Sequence, residues 1–514
     1  MMRARKRKSP FGRMLAGLAM LCATSAQGSP NVQAIADAIT ELDVDRAKDM
    51  LSSVHVESPG LSFERARLAI YVGDCDSAAA ILSAPSLSAS PEGQALGDLA
   101  RRCAGATAGA VVVHDEKAGV WIRLQDSEDR TLVPFFTRAA VRARLRIGAE
   151  LGVELPRPLR IDLVRDLFSL SAVSGLPVDA AETTGTVAVA RWGRVTMISP
   201  RATVLGYPWE DTLAHEITHL MLSRATRDRA PLWLQEGIAK RQETRWRENR
   251  LFDDGYDPTA LARAAFVSGR AVGIDKLGPS IAMLPTPEAA STAFAEVTSF
   301  MNYWIAENGA PALSLLLLDL KGLGTEDASS AMRSVTGYDL ESWNRRWQKH
   351  LAGLPEPPPN EATPKVPKDL ARLVRLGDLA FAGGHLRAAA VQHDRAVEKY
   401  SIEAALRFRA ARDWQSAGEP DKAQQSLGAV EQVRGAHGGW LALHGRRLAK
   451  SKPKEANKAF DAALGLDPLS GWVACRGEDQ GLLTPGQKPA PSVGLPSDPA
   501  WRELCASARK RTEN

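Results

Sequence analysis

Residues 213–222 read Leu-Ala-His-Glu-Ile-Thr-His-Leu-Met-Leu, and they constrain the chain more than any other stretch. His215 and His219 are four residues apart, which on an α-helix puts both imidazoles on one face, one above the other. Glu216 sits beside the first. That pattern offers two metal ligands and a general base from one turn of helix. Leu213, Ile217, Leu220, Met221 and Leu222 make the other sides apolar, so the helix is expected to be buried. Buried imidazoles need partners, because an unpaired polar group in an apolar interior is costly.

A partner is available after the short polar loop 223–230. Residues 231–239 read Pro-Leu-Trp-Leu-Gln-Glu-Gly-Ile-Ala, with Glu236 inside an apolar run. A carboxylate there is expensive unless it is paired or bound to metal. Gly237 beside it removes side-chain bulk. A second helix carrying Glu236 back to the two histidines completes a His-His-Glu set for one Zn(2+) ion, with a coordination position left for water.

H-E-x-x-H followed by W-L-x-E-G-x-A resembles the gluzincin metallopeptidases, specifically the bacterial peptidase MA-like family. The resemblance implies His215, His219 and Glu236 as metal ligands and Glu216 as the catalytic base. It also implies an α+β, zincin-like domain: a small sheet, a helical subdomain, and an edge strand above the zinc that pairs with substrate backbone. Residues 186–198 are placed at that edge by the resemblance. An internal hairpin is the competing reading. Three positions depart from the pattern. Related sequences often carry an acidic and an aromatic residue where Lys240 and Arg241 stand, and a tyrosine is common where Phe294 stands. If that hydroxyl helps stabilise the oxyanion in relatives, this chain lacks it there. Tyr303 and Tyr256 are the substitutes on offer, with no spacing argument to choose between them.

The 514 residues are enough for more than one domain. Residues 1–26 carry Arg3, Arg5, Lys6, Arg7, Lys8 and Arg13, a short apolar run over 14–23 and small residues at 24–26. This is the pattern of a secretory signal peptide. The expected localisation is therefore exported, periplasmic or extracellular, with a membrane tether through an uncleaved signal as the alternative. The apolar run is too short for a stable span, and no other segment is long and apolar enough. Removing those six basic residues from the 65 Lys and Arg leaves 59 against 60 acidic residues, so the overall charge gives no reason to bind nucleic acid. Beyond Cys22, the four cysteines fall as two pairs near the two ends. In an oxidising compartment Cys75–Cys103 and Cys475–Cys505 are the expected disulfides, with four buried thiols as the alternative.

Six regions follow. After the signal 1–26, residues 27–105 have Ala and Leu at helical spacing and a tetratricopeptide-like turn at Gly73. The peptidase-like domain is expected over 106–353. Its strands are read at 110–114, 120–124, 159–164, 186–190 and 194–198, a helix at 135–151, and the helical subdomain at 289–308, 311–321 and 340–351. The run of Lys240, Arg241, Arg245, Arg247 and Arg250 is read as a solvated helical face, with a cationic rim favouring acidic substrates as the lesser reading. A stiff, exposed proline-rich linker, 354–367, is expected to separate two folding units. Gly384 and Gly418, and Ala389, Ala423 and Ala456, recur at 33–34 residues over 368–469, the period of tetratricopeptide repeats. The tail 470–514 reads as irregular apart from a short helix at 501–510.

Two functions compete. One is an exported zinc metallopeptidase acting on a peptide or protein substrate, with the C-terminal repeats capturing a protein partner. The other is a repeat-based binding scaffold whose zincin-like domain is weakly active or inactive. An intact Glu216 favours the first, since a purely structural zinc site needs no base.

Overall fold

The computed structural model describes residues 30–54, 57–203, 206–253, 257–278, 280–322, 327–355, 367–477 and 498–512. The leader, Tyr256, and residues 356–366 of the linker lie outside them. The fold is mixed α+β, mostly helical around one five-stranded sheet. Among the described residues no helix is long and apolar enough to cross a membrane.

The strands are β1 (Val111–Asp115), β2 (Val120–Leu124), β3 (Leu159–Val164), β4 (Ala188–Arg191) and β5 (Arg194–Ile198), in the order β1-β2-β3-β5-β4. The central pairs β2/β3 and β3/β5 are parallel; β1 and β4 close the two edges antiparallel. β4 and β5 are joined by Trp192-Gly193, both at positive φ (56° and 70°), as a two-residue hairpin turn requires.

Side chains alternate across the strands, and the two faces meet different neighbours. Ile122, Ile161, Val195 and Met197 point into the main core. There they meet Phe135 and Phe136 of helix Val133–Leu151 and Leu213, Ile217 and Met221 of helix Trp209–Thr226. The other face carries Arg123, Asp162 and Arg194, all buried. Asp162 accepts hydrogen bonds from Arg123 Nε and Nη2 at 2.8 and 2.9 Å and is ion-paired with Arg194, whose Nε lies at 2.9 Å. The same two guanidiniums reach the carbonyls of Gly73 and Ile70, so the triad fastens the N-terminal helices of residues 30–107 to the sheet. Burial pushes the Arg194 guanidinium down to about 10, with Asp162 opposing. The Cys75–Cys103 disulfide packs beside Arg194.

After the sheet come helix Trp209–Thr226, which we call the motif helix, and helix Leu232–Arg245, the carboxylate helix. Glu210 and Asp211 fall in the first turn of the motif helix and Arg224 in its last, the favourable order for its dipole. Helix Pro287–Asn308 runs beneath the carboxylate helix, and Ala310–Lys321, Ala328–Thr336 and Leu340–Gly353 complete the lower part.

The C-terminal region departs from the reading of a separate unit. Six helices between Leu370 and Leu464 pack each against the next. Their far end grips the motif helix: Trp209 Nε1 donates to the Leu464 carbonyl at 2.9 Å and the Tyr207 N–H to that of Leu466 at 2.9 Å. Arg250, just after the carboxylate helix, pairs with Glu210. In the tail, the helix read at 501–510 is present, and residues 478–497 lie outside the described ones. Helix Pro499–Thr512, tied back by the Cys475–Cys505 disulfide, sets Trp501 edge-on against Phe135 at 5.7 Å. Leu464, Ala474, Trp501, Leu504 and Ala508 thereby join the same core as the sheet. A repeat period reveals the stacking but carries no sign of this docking, since two of its contacts end on backbone carbonyls.

Candidate metal centre

The motif helix and the carboxylate helix pack side by side, and three donor atoms converge between them. His215 Nε2 and His219 Nε2 are 3.1 Å apart. Glu236 Oε2 is 3.5 Å from the first and 3.6 Å from the second. Zinc bonds of about 2.0–2.1 Å at tetrahedral angles separate neighbouring ligand atoms by roughly 3.3 Å. The triangle therefore has the size of one face of a zinc tetrahedron, and the donor set of two imidazoles and a carboxylate suits that ion. Among the described residues this is the one cluster of His, Cys, Asp or Glu side chains close enough to hold a metal.

The approach of the two helices depends on Gly237. A Cβ there would lie 2.6 Å from Met301 Cγ and 2.7 Å from the Val297 carbonyl oxygen, so the carboxylate helix rests directly on the backbone of helix Pro287–Asn308. Trp233 meets Phe300 edge-on at 5.6 Å in the same interface.

Partners fix the donors. The Gln235 Oε1 atom is 3.1 Å from His219 Nδ1. With Nδ1–H donating to that amide oxygen, Nε2 keeps its lone pair for the cluster. Burial alone would raise the Glu236 carboxyl, but the two histidines and then Lys240 outweigh it and hold its pKa below the ordinary value. Glu216 behaves in the opposite way. Burial pushes it up to about 7, and Glu236 and Glu243 push in the same direction, against His219 and a hydrogen bond from the Ala190 N–H. A dication at the three donors would draw it back down.

That Ala190 bond links the site to the sheet edge. Arg191 and Arg194 close the hairpin turn and Val187 accepts from the Ile198 N–H at 2.8 Å, so Ala188 and Ala190 direct their backbone groups away from β5. The Ala190 N–H, one of those outward groups, acts on the Glu216 carboxyl to lower its pKa.

Phe294, where relatives often carry tyrosine, sits with its ring 6.4 Å from the His215 ring. Tyr303 has its ring stacked on His350 at 4.9 Å and edge-on to Trp343 at 6.3 Å. Tyr207 is nearer. Its hydroxyl donates to the Ile198 carbonyl, and burial, with Asp129 and Glu216 adding to it, pushes its pKa up.

The basic run after Glu236 is neither a free cationic rim nor a wholly solvated face. Arg241 and Arg245 lie at 3.7 and 3.3 Å from Glu150. Arg247 is buried between Asp211 and Asp253, which it holds through both arms of its guanidinium. Lys240 pairs with Glu243. Gln235, Glu243 and the Ala190 backbone do not stand out in the sequence. A helical projection would have flagged Glu243, which lies seven residues after Glu236 and so on the same face. Nothing local marks the other two.

No curated protein and no solved structure matches the chain. Residues 139–353, which hold His215, Glu216, His219 and Glu236 together with the β3–β5 part of the sheet, match the model of the Peptidase MA superfamily, and this central part of the chain is a metallopeptidase-like domain.

Proposed function

We propose that the chain is an exported zinc metallopeptidase in which His215, His219 and Glu236 hold one zinc ion and Glu216 is the general base. The convergence of His215 Nε2, His219 Nε2 and Glu236 Oε2 at 3.1–3.6 Å, with the buried carboxylate of Glu216 beside them, carries the reading. Zinc bound there supplies a Lewis acid for the scissile carbonyl and an acidified water.

The protein groups do the remaining work. The outward backbone groups of β4 hold an extended peptide by strand addition across the cleft. Glu216, close to the Ala190 N–H, takes a proton from the attacking water and passes it to the leaving amine. Ala190 thus ties the strand that receives substrate to the group that moves the proton. Gln235 keeps His219 in one tautomer.

Export is supported by the basic-then-apolar leader and by the two disulfides, which persist in oxidising compartments. A protein partner would dock on the C-terminal helices, where Leu370, Val374, Leu379 and Leu406 line a groove. Leu379 is 61% exposed there. The test is hydrolysis of a peptide library by the purified full chain. Activity removed by a chelator and restored by zinc is expected; activity indifferent to chelation would overturn the reading.

A further inference from the structure

The carboxylate helix carries more of the site than Glu236. Glu236, Lys240 and Glu243 stand at i, i+4 and i+7, so they share one face of that helix. Lys240 and Glu243 are ion-paired, with side-chain exposures of 43% and 17%. Glu243 Oε2 also lies 4.0 Å from His215 Nδ1. On the other side of the same ring, Nε2 belongs to the donor triangle. If Nε2 is a ligand, Nδ1 carries the proton and needs an acceptor. Glu243 supplies a carboxylate 4.0 Å from it, beyond hydrogen-bond length but within reach of a small side-chain rotation once Lys240 releases it.

The two histidines are therefore backed differently. His219 has a neutral amide, Gln235, at hydrogen-bond distance. His215 has a carboxylate, and that carboxylate is shared with an ammonium. The Lys240 Nζ atom also lies 5.8 Å from the centre of the Phe294 ring, which is itself packed near His215. Its charge acts on Glu236 as well. An ammonium in this place competes with the His215 N–H for the Glu243 oxygen and opposes a dication at the three donors.

We propose that Glu243 is a positioning residue for metal ligation, orienting His215 through Nδ1, and that Lys240 restrains it and lowers the affinity of the site for zinc. The inference rests on the zinc reading of the preceding section. An exposed i,i+3 pair with no such role would contribute only a few tenths of a kcal/mol to the helix and nothing to metal binding.

The experiment measures zinc affinity of the full chain by competition with a chromophoric chelator at fixed pH, beside the melting temperature of the metal-stripped protein. Glu243→Gln keeps the size and removes the charge. It is expected to weaken zinc by about tenfold to a hundredfold, the usual effect of losing such a support, without moving the melting temperature of the stripped protein. Lys240→Met is expected to tighten zinc by about threefold or more, since a cation leaves the surroundings of a dication. The double variant should fall between the two single variants, because removing the cation still favours the dication after Glu243 has lost its charge. Wild-type affinity in Glu243→Gln, or a loss that merely tracks a lower melting temperature, overturns the proposal. So does unchanged or weakened binding in Lys240→Met, which keeps the test open if Glu243→Gln fails to fold. A wild-type chain that binds no zinc overturns the proposed function instead, so the two failures are told apart.

Discussion

Gly237→Ala adds one methyl group and tests whether the seating of the carboxylate helix sets the metal centre. The new Cβ would meet Met301 Cγ at 2.6 Å and the Val297 carbonyl oxygen at 2.7 Å. The methionine can swing aside; the carbonyl belongs to a helix and cannot. A carbon–oxygen contact relaxes only beyond roughly 3.3 Å, so the two helices must part by about 0.6 Å. Zinc sites hold their ligand distances to about 0.2 Å, and Glu236 is the residue next to the new methyl. Stability changes less than the site does. Alanine in place of glycine favours the helix by about 1 kcal/mol, and overpacking costs about 1–3 kcal/mol, for a net loss of about 0–2 kcal/mol. Zinc affinity should fall by about tenfold or more. Chelator competition reads the affinity, and thermal melting of the metal-free protein reads the stability. Wild-type zinc affinity in a variant that melts at or above the wild type would refute the reasoning, because the helix would then have absorbed the methyl without moving its carboxylate.

Two further outcomes follow from the packing. Asp162→Asn leaves Arg123 and Arg194 buried without a carboxylate and should cost about 3–5 kcal/mol in urea unfolding; a loss below about 1 kcal/mol would mean the triad does not fasten the N-terminal helices. Deleting 368–514 should leave the central domain poorly folded, because Leu464, Trp501 and Leu504 belong to its core and Trp209 loses its carbonyl partner; a truncated chain with native circular dichroism and an unchanged melting temperature would contradict this.

The sequence shows the local parts of this fold well and the long-range ones poorly. Strands of alternating or continuous β-branched residues, such as Leu159–Val164 and Arg194–Ile198, carry their own period. Trp192-Gly193 marks its turn. The four-residue spacing of His215 and His219 is enough by itself to put both on one helix face, and the carboxylate in an apolar run points to Glu236. Arg247 shows the limit. It reads as one of five cations on a solvated face, yet lies buried because Asp211, 36 residues earlier in the chain, and Asp253 close around it. Gln235 and the Ala190 N–H have the same character: an amide beside a ligand and a backbone group on an edge strand acquire roles only from what the tertiary fold sets opposite them. The docking of the C-terminal helices is likewise written in partners and not in pattern.

The measurement that bears most directly on the central claim pairs zinc stoichiometry with peptidase rate for Glu216→Gln and Glu236→Ala. Three donor atoms meet at one point, and the Glu216 carboxylate stands beside them, near the sheet edge. Glu216→Gln should keep one zinc per chain while turnover falls by about a hundredfold or more. Glu236→Ala should lose zinc and turnover together, as should His215→Ala and His219→Ala. Full activity in Glu216→Gln, or a wild-type chain without zinc, would contradict the account.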